Sequence, residues 1–436
     1  MRKRGRDTSG ISLGTVLTLL MVGFVIAGAA WLFPRLVGDI DTRVNPARVG
    51  VAFQSVLNHD RAQQSQGSMQ LGATEEPPLS DLSTSVPAPT QPAEHTLTLT
   101  AAGVISIDGN IQKACTSEAG YGFEALFSSV AKVLQGEVNL ATLRNLVIAN
   151  EKLTDVNMPV DALAAVRNSG FNVLSTGFPG ALNSGVDGLA ATINAIGQNG
   201  MTAYGTFPSA ESRKHVVTVD IGGMTVAFLS FQGELSAAGK RKTTKAEQDF
   251  VIAPLTLPAI SADISAARAA GAKIVIVSLC WGKDGAATPT KTQIELAQGI
   301  AEAGADVILG TGTGTVQPVS ILRSRRADAT ERQTLCAFSL GNLLVSDRSD
   351  RSGISGAILH VNMRYHLADD SLTFEQLTFT PTYVWRGRID GKNAYRVLPS
   401  NAAAPDYVDE DQQAVMERSL TLIRDVFAQS PVREAQ

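Results

Sequence analysis

After residue 94, hydrophobic residues recur at every second position in some segments and every three to four positions in others. This pattern predicts a domain of mixed strands and helices. Residues 95–100 alternate apolar with β-branched side chains, as a strand does, and residues 273–280 form an almost unbroken apolar run, typical of a strand buried on both faces. Residues 159–169 and 289–303 have helical spacing, with Gly170 after the first and a proline near the first turn of the second. This order of elements predicts an α/β layered domain.

Other segments extend the same prediction. Residues 121–134 have the spacing of a helix, and residues 140–149 resemble a strand. A hairpin is expected around Gly222 and Gly223. Further strands are predicted at 335–340, 357–363 and 371–380, and a C-terminal helix at 409–429. We place the folded domain at 95–385 and treat 386–436 as a C-terminal extension with a helix.

The N-terminus has the pattern of a membrane anchor. Four basic residues within the first six precede an uncharged stretch whose apolar centre, 11–33, is long enough to cross a ~30 Å hydrocarbon core. A cleaved signal peptide is the alternative, but its apolar region is usually only ~7–15 residues. The positive charges place residues 1–10 in the cytoplasm and the main domain outside, as a single-pass protein of the cell membrane.

Between this anchor and the domain, no core can form. Residues 34–74 are mostly polar and read as a membrane-proximal stalk. Residues 75–94 are rich in proline, serine and threonine and predict a semi-extended linker.

Charge and cysteine content exclude some classes of function. The formal net charge of −4 gives no reason to expect nucleic acid as a partner. Three cysteines without close spacing argue against a disulfide framework, and buried thiols are the simpler interpretation, although two of them could pair in an exported chain.

Several loops that follow predicted strands carry a resemblance to a known family. The motifs are Gly-Ile-Ala-Glu-Ala-Gly-Ala-Asp-Val-Ile-Leu-Gly at 299–310, Val-Gln-Pro at 316–318 and Ala-Phe-Ser-Leu-Gly-Asn at 337–342. From 95 to about 382 the chain resembles the CapA/PgsA capsule-synthesis family, a branch of the calcineurin-like metallophosphatase superfamily. The resemblance implies a layered β-sandwich of the metallo-dependent phosphatase type, flanked by helices.

The same comparison shows non-ligating residues where the family carries metal ligands. The family's Gly-Asp, Asn-Leu-Glu, Asn-Asn-His, His-Trp-Gly and Gly-His-His-Pro-His motifs align with residues that supply few donors. The degenerate positions are Val104, Val147, Gly180, Cys280, Thr311, Gly312 and Gly314. A metallophosphatase needs two cations held by carboxylates and imidazoles, which polarise the phosphoryl group and activate water. We therefore expect no catalytic residue, no bound metal and no cofactor.

The remaining polar and aromatic residues near the expected cleft are candidates for binding. Trp281, Gln317 and Asn342 are predicted to line a ligand or partner surface, and Asp108 and Asp284 to lie near it; each could equally be structural. The resemblance implies a role in making or exporting an envelope polymer such as capsule or polyglutamate. Possible partners are that polymer or proteins of its synthesis complex, besides the membrane. The alternative is an active phosphoesterase with relocated ligands.

Overall fold

The computed structural model describes residues 94–118, 120–325, 329–349 and 352–435. The predicted cytoplasmic tail, anchor and stalk, and all of the linker except residue 94, lie outside these ranges. Within them, no helix is both long enough and apolar enough to span a bilayer.

Strands and helices alternate through the first two thirds of the described chain, and strands dominate the last third. The strands are β1 (Glu94–Ile105), β2 (Thr116–Ser117), β3 (Gly120–Tyr121), β4 (Val138–Leu143), β5 (Val173–Ser175), β6 (Thr202–Tyr204), β7 (Val217–Ile221), β8 (Met224–Gln232), β9 (Ile274–Cys280), β10 (Val307–Thr311), β11 (Val316–Arg325), β12 (Glu331–Leu340), β13 (Asn342–Leu344), β14 (Ser355–His366), β15 (Ser371–Ile389), β16 (Lys392–Pro399) and β17 (Arg433–Glu434). The α-helices are α1 (Gly109–Ala114), α2 (Val160–Asn168), α3 (Gly185–Gln198), α4 (Ala237–Lys242), α5 (Lys245–Val251), α6 (Leu257–Ala269), α7 (Lys291–Ala303) and α8 (Glu410–Phe427).

Two large mixed sheets form the centre of the fold. The first has the order β16-β15-β14-β1-β4-β5-β6, with β13 beside β1 and β17 beside β15. The second has the order β11-β12-β10-β9-β8-β7. Strands β1, β4, β5 and β6 are parallel to one another, and so are β8, β9, β10 and β12. In each sheet the parallel strands therefore end along one edge, where ligand sites of α/β folds usually lie.

Side-chain alternation along the strands produces three layers of core. In β9, Ile274 and Ile276 belong to the cluster between the two sheets, whereas Val275 and Val277 pack with α6 and α7 on the outer face. In the first sheet, Ala141 and its outward neighbours pack with α2 and α3. The predicted layered α/β architecture is thus present, and the strand at 273–280 is buried on both faces as expected.

Residues 121–134 do not form the predicted α-helix. They contain two 3₁₀ turns, Glu124–Leu126 and Ala131–Val133. The apolar residues that suggested a helix, such as Phe123 and Phe127, are nevertheless fully buried. A 3₁₀ turn places residues three apart on one side, and an α-helix places residues three and four apart on one side, so spacing over so short a segment could not distinguish the two conformations.

The C-terminal segment is integrated into the first sheet. Strand β15 runs through residue 385, where the sequence had suggested the end of the domain, and pairs with β16 along 382–389. Helix α8 packs on this sheet, with Phe427 edge-on to Phe379 at 4.7 Å between ring centroids. Residues 386–435 therefore complete the domain and are not an appended extension.

Candidate functional site

A pocket of about 380 Å³ lies where the parallel strands of both sheets end. Val104 comes from β1, Thr142 and Arg144 from the end of β4, Cys280 from the end of β9, and residues 311–314 from the end of β10 and the loop after it. The remaining lining residues are Phe178, Pro179, Asp284, Asn342, Val345, Asp347, Ser349 and Gly353. This is the position at which the family resemblance predicted a site.

Five of the seven degenerate positions line this pocket: Val104, Cys280, Thr311, Gly312 and Gly314. The other two do not. Val147 is buried in the outer core of the first sheet, and its main-chain N–H donates to Thr192 Oγ1 at 2.9 Å. Gly180 is absent from the lining, and a side chain there would meet the ring of Phe178 at 2.7 Å.

Arg144, rather than Val147, reaches the pocket from the second loop. Val104 pairs with Thr142 across β1 and β4, and the Arg144 N–H donates to Ile105 O at 2.9 Å, so residues 142–144 lie level with the end of β1. Arg144 is exposed, so the segment after β4 brings a positive charge to the pocket, in the loop where the family resemblance implied a carboxylate.

Asn145, which had suggested the original alignment, has a structural role. It is fully buried; its Oδ1 accepts from the Ile107 N–H at 2.7 Å and its Nδ2 donates to Ile107 O at 3.1 Å. The amide side chain therefore joins the segment after β4 to the segment after β1. The end of the strand, rather than the Asn-Leu pair, was the usable signal in the sequence.

Of the five candidate binding residues, Asn342 and Asp284 line the pocket. The Asn342 Nδ2 donates to Gly314 O at 3.1 Å and to Gly353 O at 2.9 Å, which holds two walls of the pocket together. Asp108 lies outside the lining and caps α1, where its Oδ1 accepts from the N–H groups of Asn110 and Ile111.

Trp281 and Gln317 support the pocket from behind and do not line it. Trp281 is 5% exposed, and its Nε1 donates to Phe338 O at 2.8 Å. Gln317 is fully buried; its Nε2 donates to Ala286 O at 2.9 Å, and its Oε1 accepts from Gln293 Nε2 at 3.1 Å. Both side chains thus make structural hydrogen bonds.

The lining residues do not fit a dinuclear metal centre. Across the described ranges, no group of three or more His, Cys, Asp or Glu side chains is placed to hold a metal ion. Burial raises the pKa of the Cys280 thiol, and the positive charge of Arg144 only partly offsets this, so the thiol is neutral at pH 7. Hydrogen bonds from Ser349 lower the pKa of Asp347, which is ionised.

The pocket combines apolar walls with a few polar groups. Val104, Phe178 and Pro179 supply the apolar part, Arg144 supplies hydrogen-bond donors, and Asp284 and Asp347 supply acceptors. The Thr313 hydroxyl is used internally, donating to Thr315 O or Ser339 Oγ, each at 2.9 Å. Such a lining suits an organic ligand with a polar or anionic group better than a pair of cations.

Comparison with known proteins shows the family of this chain. The family model described as the bacterial capsule synthesis protein PGA_cap matches residues 98–347, more than half of the chain. The chain belongs to the PGA_cap family. The matched range contains every strand end that lines the pocket, from β1 to β13.

Two relatives that are similar to this chain in sequence are both named CapA. The capsule biosynthesis protein CapA of Bacillus anthracis is 23% identical over 323 residues, which cover 70% of this chain and 74% of that protein. The PGA biosynthesis protein CapA of Bacillus subtilis is 24% identical over 208 residues, covering 48% of this chain and 50% of that protein.

The solved structures that are similar to this chain have a lower sequence identity to it. The NAD nucleotidase NadN of Haemophilus influenzae is 9% identical, with a TM-score of 0.40 over 78% of this chain and 57% of that one. A phosphatase from Mycoplasma pneumoniae is also 9% identical, with a TM-score of 0.37 over 66% of this chain and 93% of that one.

Proposed function

We propose that this PGA_cap protein is a non-catalytic member of its family that binds or scaffolds during biosynthesis or export of a capsule or envelope polymer of the polyglutamate type. It is held at the outer face of the cell membrane by residues 11–33. The observation that supports the proposal is the pocket at the strand ends, which is lined by Val104, Arg144 and Cys280 and, among the described residues, has no group of three or more His, Cys, Asp or Glu side chains placed to hold a metal.

Two further points support a binding role. The frame of the site is intact, since Trp281 and Asn342 still tie its loops together through hydrogen bonds to main-chain oxygens. The relatives at 23% and 24% identity are named for capsule and PGA biosynthesis. A retained frame with altered ligand positions is the arrangement expected of a protein that keeps the binding surface and gives up hydrolysis.

Metal analysis of the purified full-length protein tests the loss of catalysis. We expect no stoichiometric manganese, iron or zinc, and no hydrolysis of a generic phosphomonoester when these ions are added. One or more equivalents of tightly bound metal, together with metal-dependent hydrolysis, would establish the alternative of an active phosphoesterase with relocated ligands.

The binding role is tested in cells that depend on this protein for surface polymer. Arg144→Glu places a carboxylate where the arginine lies, and we expect it to reduce polymer on the surface while the protein level stays unchanged. Arg241→Gln, on the exposed face of α4, is the matched control. Unchanged polymer in the Arg144→Glu strain would remove the pocket from the proposal.

Topology is tested separately with a protease added to intact, wall-stripped cells. We expect cleavage within residues 75–94 to release the folded domain. Full protection under conditions that digest a known surface protein would place the domain on the other side of the membrane.

A further inference from the structure

A second pocket, of about 530 Å³, is lined by three arginines from three separate elements. Arg348 follows β13, Arg386 belongs to β15 and Arg418 to α8. The pocket shares no lining residue with the pocket at the strand ends, although the segment 345–355 supplies residues to both. Among the described residues, no aspartate or glutamate lines it. Three like charges therefore converge on the cavity, and the charge of Asp347 acts on Arg348 from outside its lining.

The guanidinium group of Arg348 is the most unusual part of this cavity. Both of its terminal nitrogens are buried and have no hydrogen-bond partner among the described residues. Burial lowers the pKa of Arg348 and the charge of Arg386 adds to this, whereas Tyr383, Tyr395 and Asp347 offset it in part. Arginine stays protonated in proteins, so this group is a desolvated cation whose terminal nitrogens lack acceptors there, which is costly unless a partner compensates it.

The other two arginines are available to a ligand. Arg386 and Arg418 are exposed, and among the described residues neither side chain takes part in an ion pair or a hydrogen bond. Arg364, by contrast, pairs with both Glu94 and Glu375. Asp347, the residue before Arg348, lines the other pocket, although its charge also acts on Arg348.

The rest of the lining is partly apolar and partly polar. Ile354, Val415 and Leu422 contribute apolar surface, and Ser352 and Ser355 contribute hydroxyls. Low-polarity walls strengthen the attraction between an arginine and an anion, because water screens the charges less. Planar guanidinium groups also match carboxylate and phosphate oxygens in pairs.

A third hollow continues the positive surface. It has a volume of about 370 Å³, shares Arg386 with the arginine pocket, and adds Lys113 and Lys392, again without an acidic lining residue. The positive charges therefore extend past one pocket, which favours a ligand with more than one anionic group.

We propose that Arg348, Arg386 and Arg418 form a binding site for a ligand that carries several oxyanion groups, either carboxylates or phosphates. The oxyanion nearest Arg348 supplies the hydrogen-bond acceptors that its buried nitrogens lack, and Arg386 and Arg418 hold the more exposed groups. The site does not depend on the proposed function of the first pocket, and the result of the metal analysis leaves it unaffected.

The test uses the full-length protein in detergent with two probes, tripolyphosphate and tricarballylate, against sodium chloride of equal ionic strength. We expect at least one probe to raise the melting temperature beyond the salt control and to give a saturable isotherm by calorimetry. Binding of only one probe identifies the oxyanion as phosphate or carboxylate. Failure of both probes to exceed the salt control overturns the proposal.

Variants locate the binding. Arg386→Gln and Arg418→Gln each remove one charge-assisted contact from an exposed position, and we expect each to weaken binding about tenfold or more. Arg241 is exposed, and among the described residues its side chain makes no hydrogen bond or ion pair. The Arg241→Gln variant should therefore bind the probe as the wild type does. Equal affinity in Arg386→Gln, Arg418→Gln and Arg241→Gln would place the probe elsewhere and overturn the assignment.

Arg348→Met gives an independent readout. Methionine keeps much of the aliphatic packing and removes the unpaired charge, so the ligand-free variant should melt at or above the wild-type temperature and lose the probe-induced shift. A folded Arg348→Met that retains the full shift contradicts the proposal. If this variant does not fold, the two exposed variants decide the question.

Discussion

The indole Nε1 of Trp281 donates a 2.8 Å hydrogen bond to the main-chain oxygen of Phe338, and the two rings stack with their centroids 5.9 Å apart. This contact joins the residue after β9 to β12, with β10 lying between these two strands in the sheet. Because the bond holds the end of the second sheet together, Trp281 sets the shape of the pocket without touching what would enter it.

Trp281→Phe removes this hydrogen bond while it keeps an aromatic ring. The buried Phe338 oxygen loses a donor, and we expect the free energy of unfolding to fall by about 1–3 kcal/mol in urea denaturation. Phe338→Leu is the matched variant, since it removes the ring stacking and leaves the main-chain oxygen bonded. A Trp281→Phe protein as stable as the wild type would show that the bond contributes nothing.

Gly310 allows the close approach of β10 to β12. A Cβ at this position would lie 1.9 Å from Phe338 O and 2.5 Å from Trp281 Nε1. We expect Gly310→Ala to destabilise the protein by at least about 3 kcal/mol, because main-chain atoms must move apart. Gly197→Ala is the control: nothing lies within 4 Å of a Cβ in that exposed helical position, and alanine should stabilise by about 0.4–1 kcal/mol. Similar melting temperatures for the two variants would contradict this account.

Asp306 anchors two arginines beneath the second sheet. Its oxygens lie 2.5 Å from Arg268 Nη2 and 2.5 Å from Arg332 Nη2, and its side chain is 4% exposed. Asp306→Asn leaves two partly buried cations without a counter-charge, and we expect a loss of about 3–5 kcal/mol in chemical denaturation.

Asp263→Asn is the control for Asp306→Asn. Asp263 makes one ion pair, at 2.8 Å to Arg213, and its side chain is 19% exposed, against 4% for Asp306. The loss there should be about 1 kcal/mol or less. Equal losses in the two variants would mean that burial of the Asp306 pair adds nothing.

His360 makes stability depend on pH. Its Nε2 lies 2.9 Å from Thr380 Oγ1, and burial lowers its pKa from 6.5 to about 4. Between these two values the unfolded chain binds a proton that the folded protein does not. Stability is therefore complete above pH 6.5 and falls as the pH decreases towards 4, by on the order of 3 kcal/mol.

His360→Gln tests this dependence, because glutamine keeps a hydrogen-bonding side chain without a titrating group. We expect the urea midpoint of the variant to vary less between pH 4 and pH 6.5 than that of the wild type. Above pH 6.5 the two curves should run parallel. Curves that run parallel across the whole range would assign the acid sensitivity to other groups.

Most of the secondary structure could be predicted from the sequence. Apolar residues that recur every two positions mark the buried face of a strand, and those that recur every three to four positions mark the buried face of a helix. The burial of 273–280 and the hairpin around Gly222 are examples. The helix predicted at 121–134 was wrong, because short 3₁₀ turns with one buried side have nearly the same spacing of apolar residues as an α-helix. The layered arrangement followed from the order of the elements.

The site was predictable in position and less so in detail. Cys280 and Thr311 line the pocket because each lies at the end of a strand. Val147 does not line it, because the segment after β4 turns into the outer core beyond Arg144. The arginine pocket could not be predicted, because its residues Arg348, Arg386 and Arg418 come from distant parts of the chain. Their positions in the sequence do not indicate that they are close in the fold.

Gly312 bears on how this protein could change in the future. Its backbone has φ +104°, a conformation that side-chain-bearing residues rarely adopt, and a Cβ there would lie 2.9 Å from Trp281 O. A histidine could not be placed at this position by a single substitution, because the loop would have to refold first. The backbone at the end of β10 therefore limits which side chains this edge of the pocket can acquire.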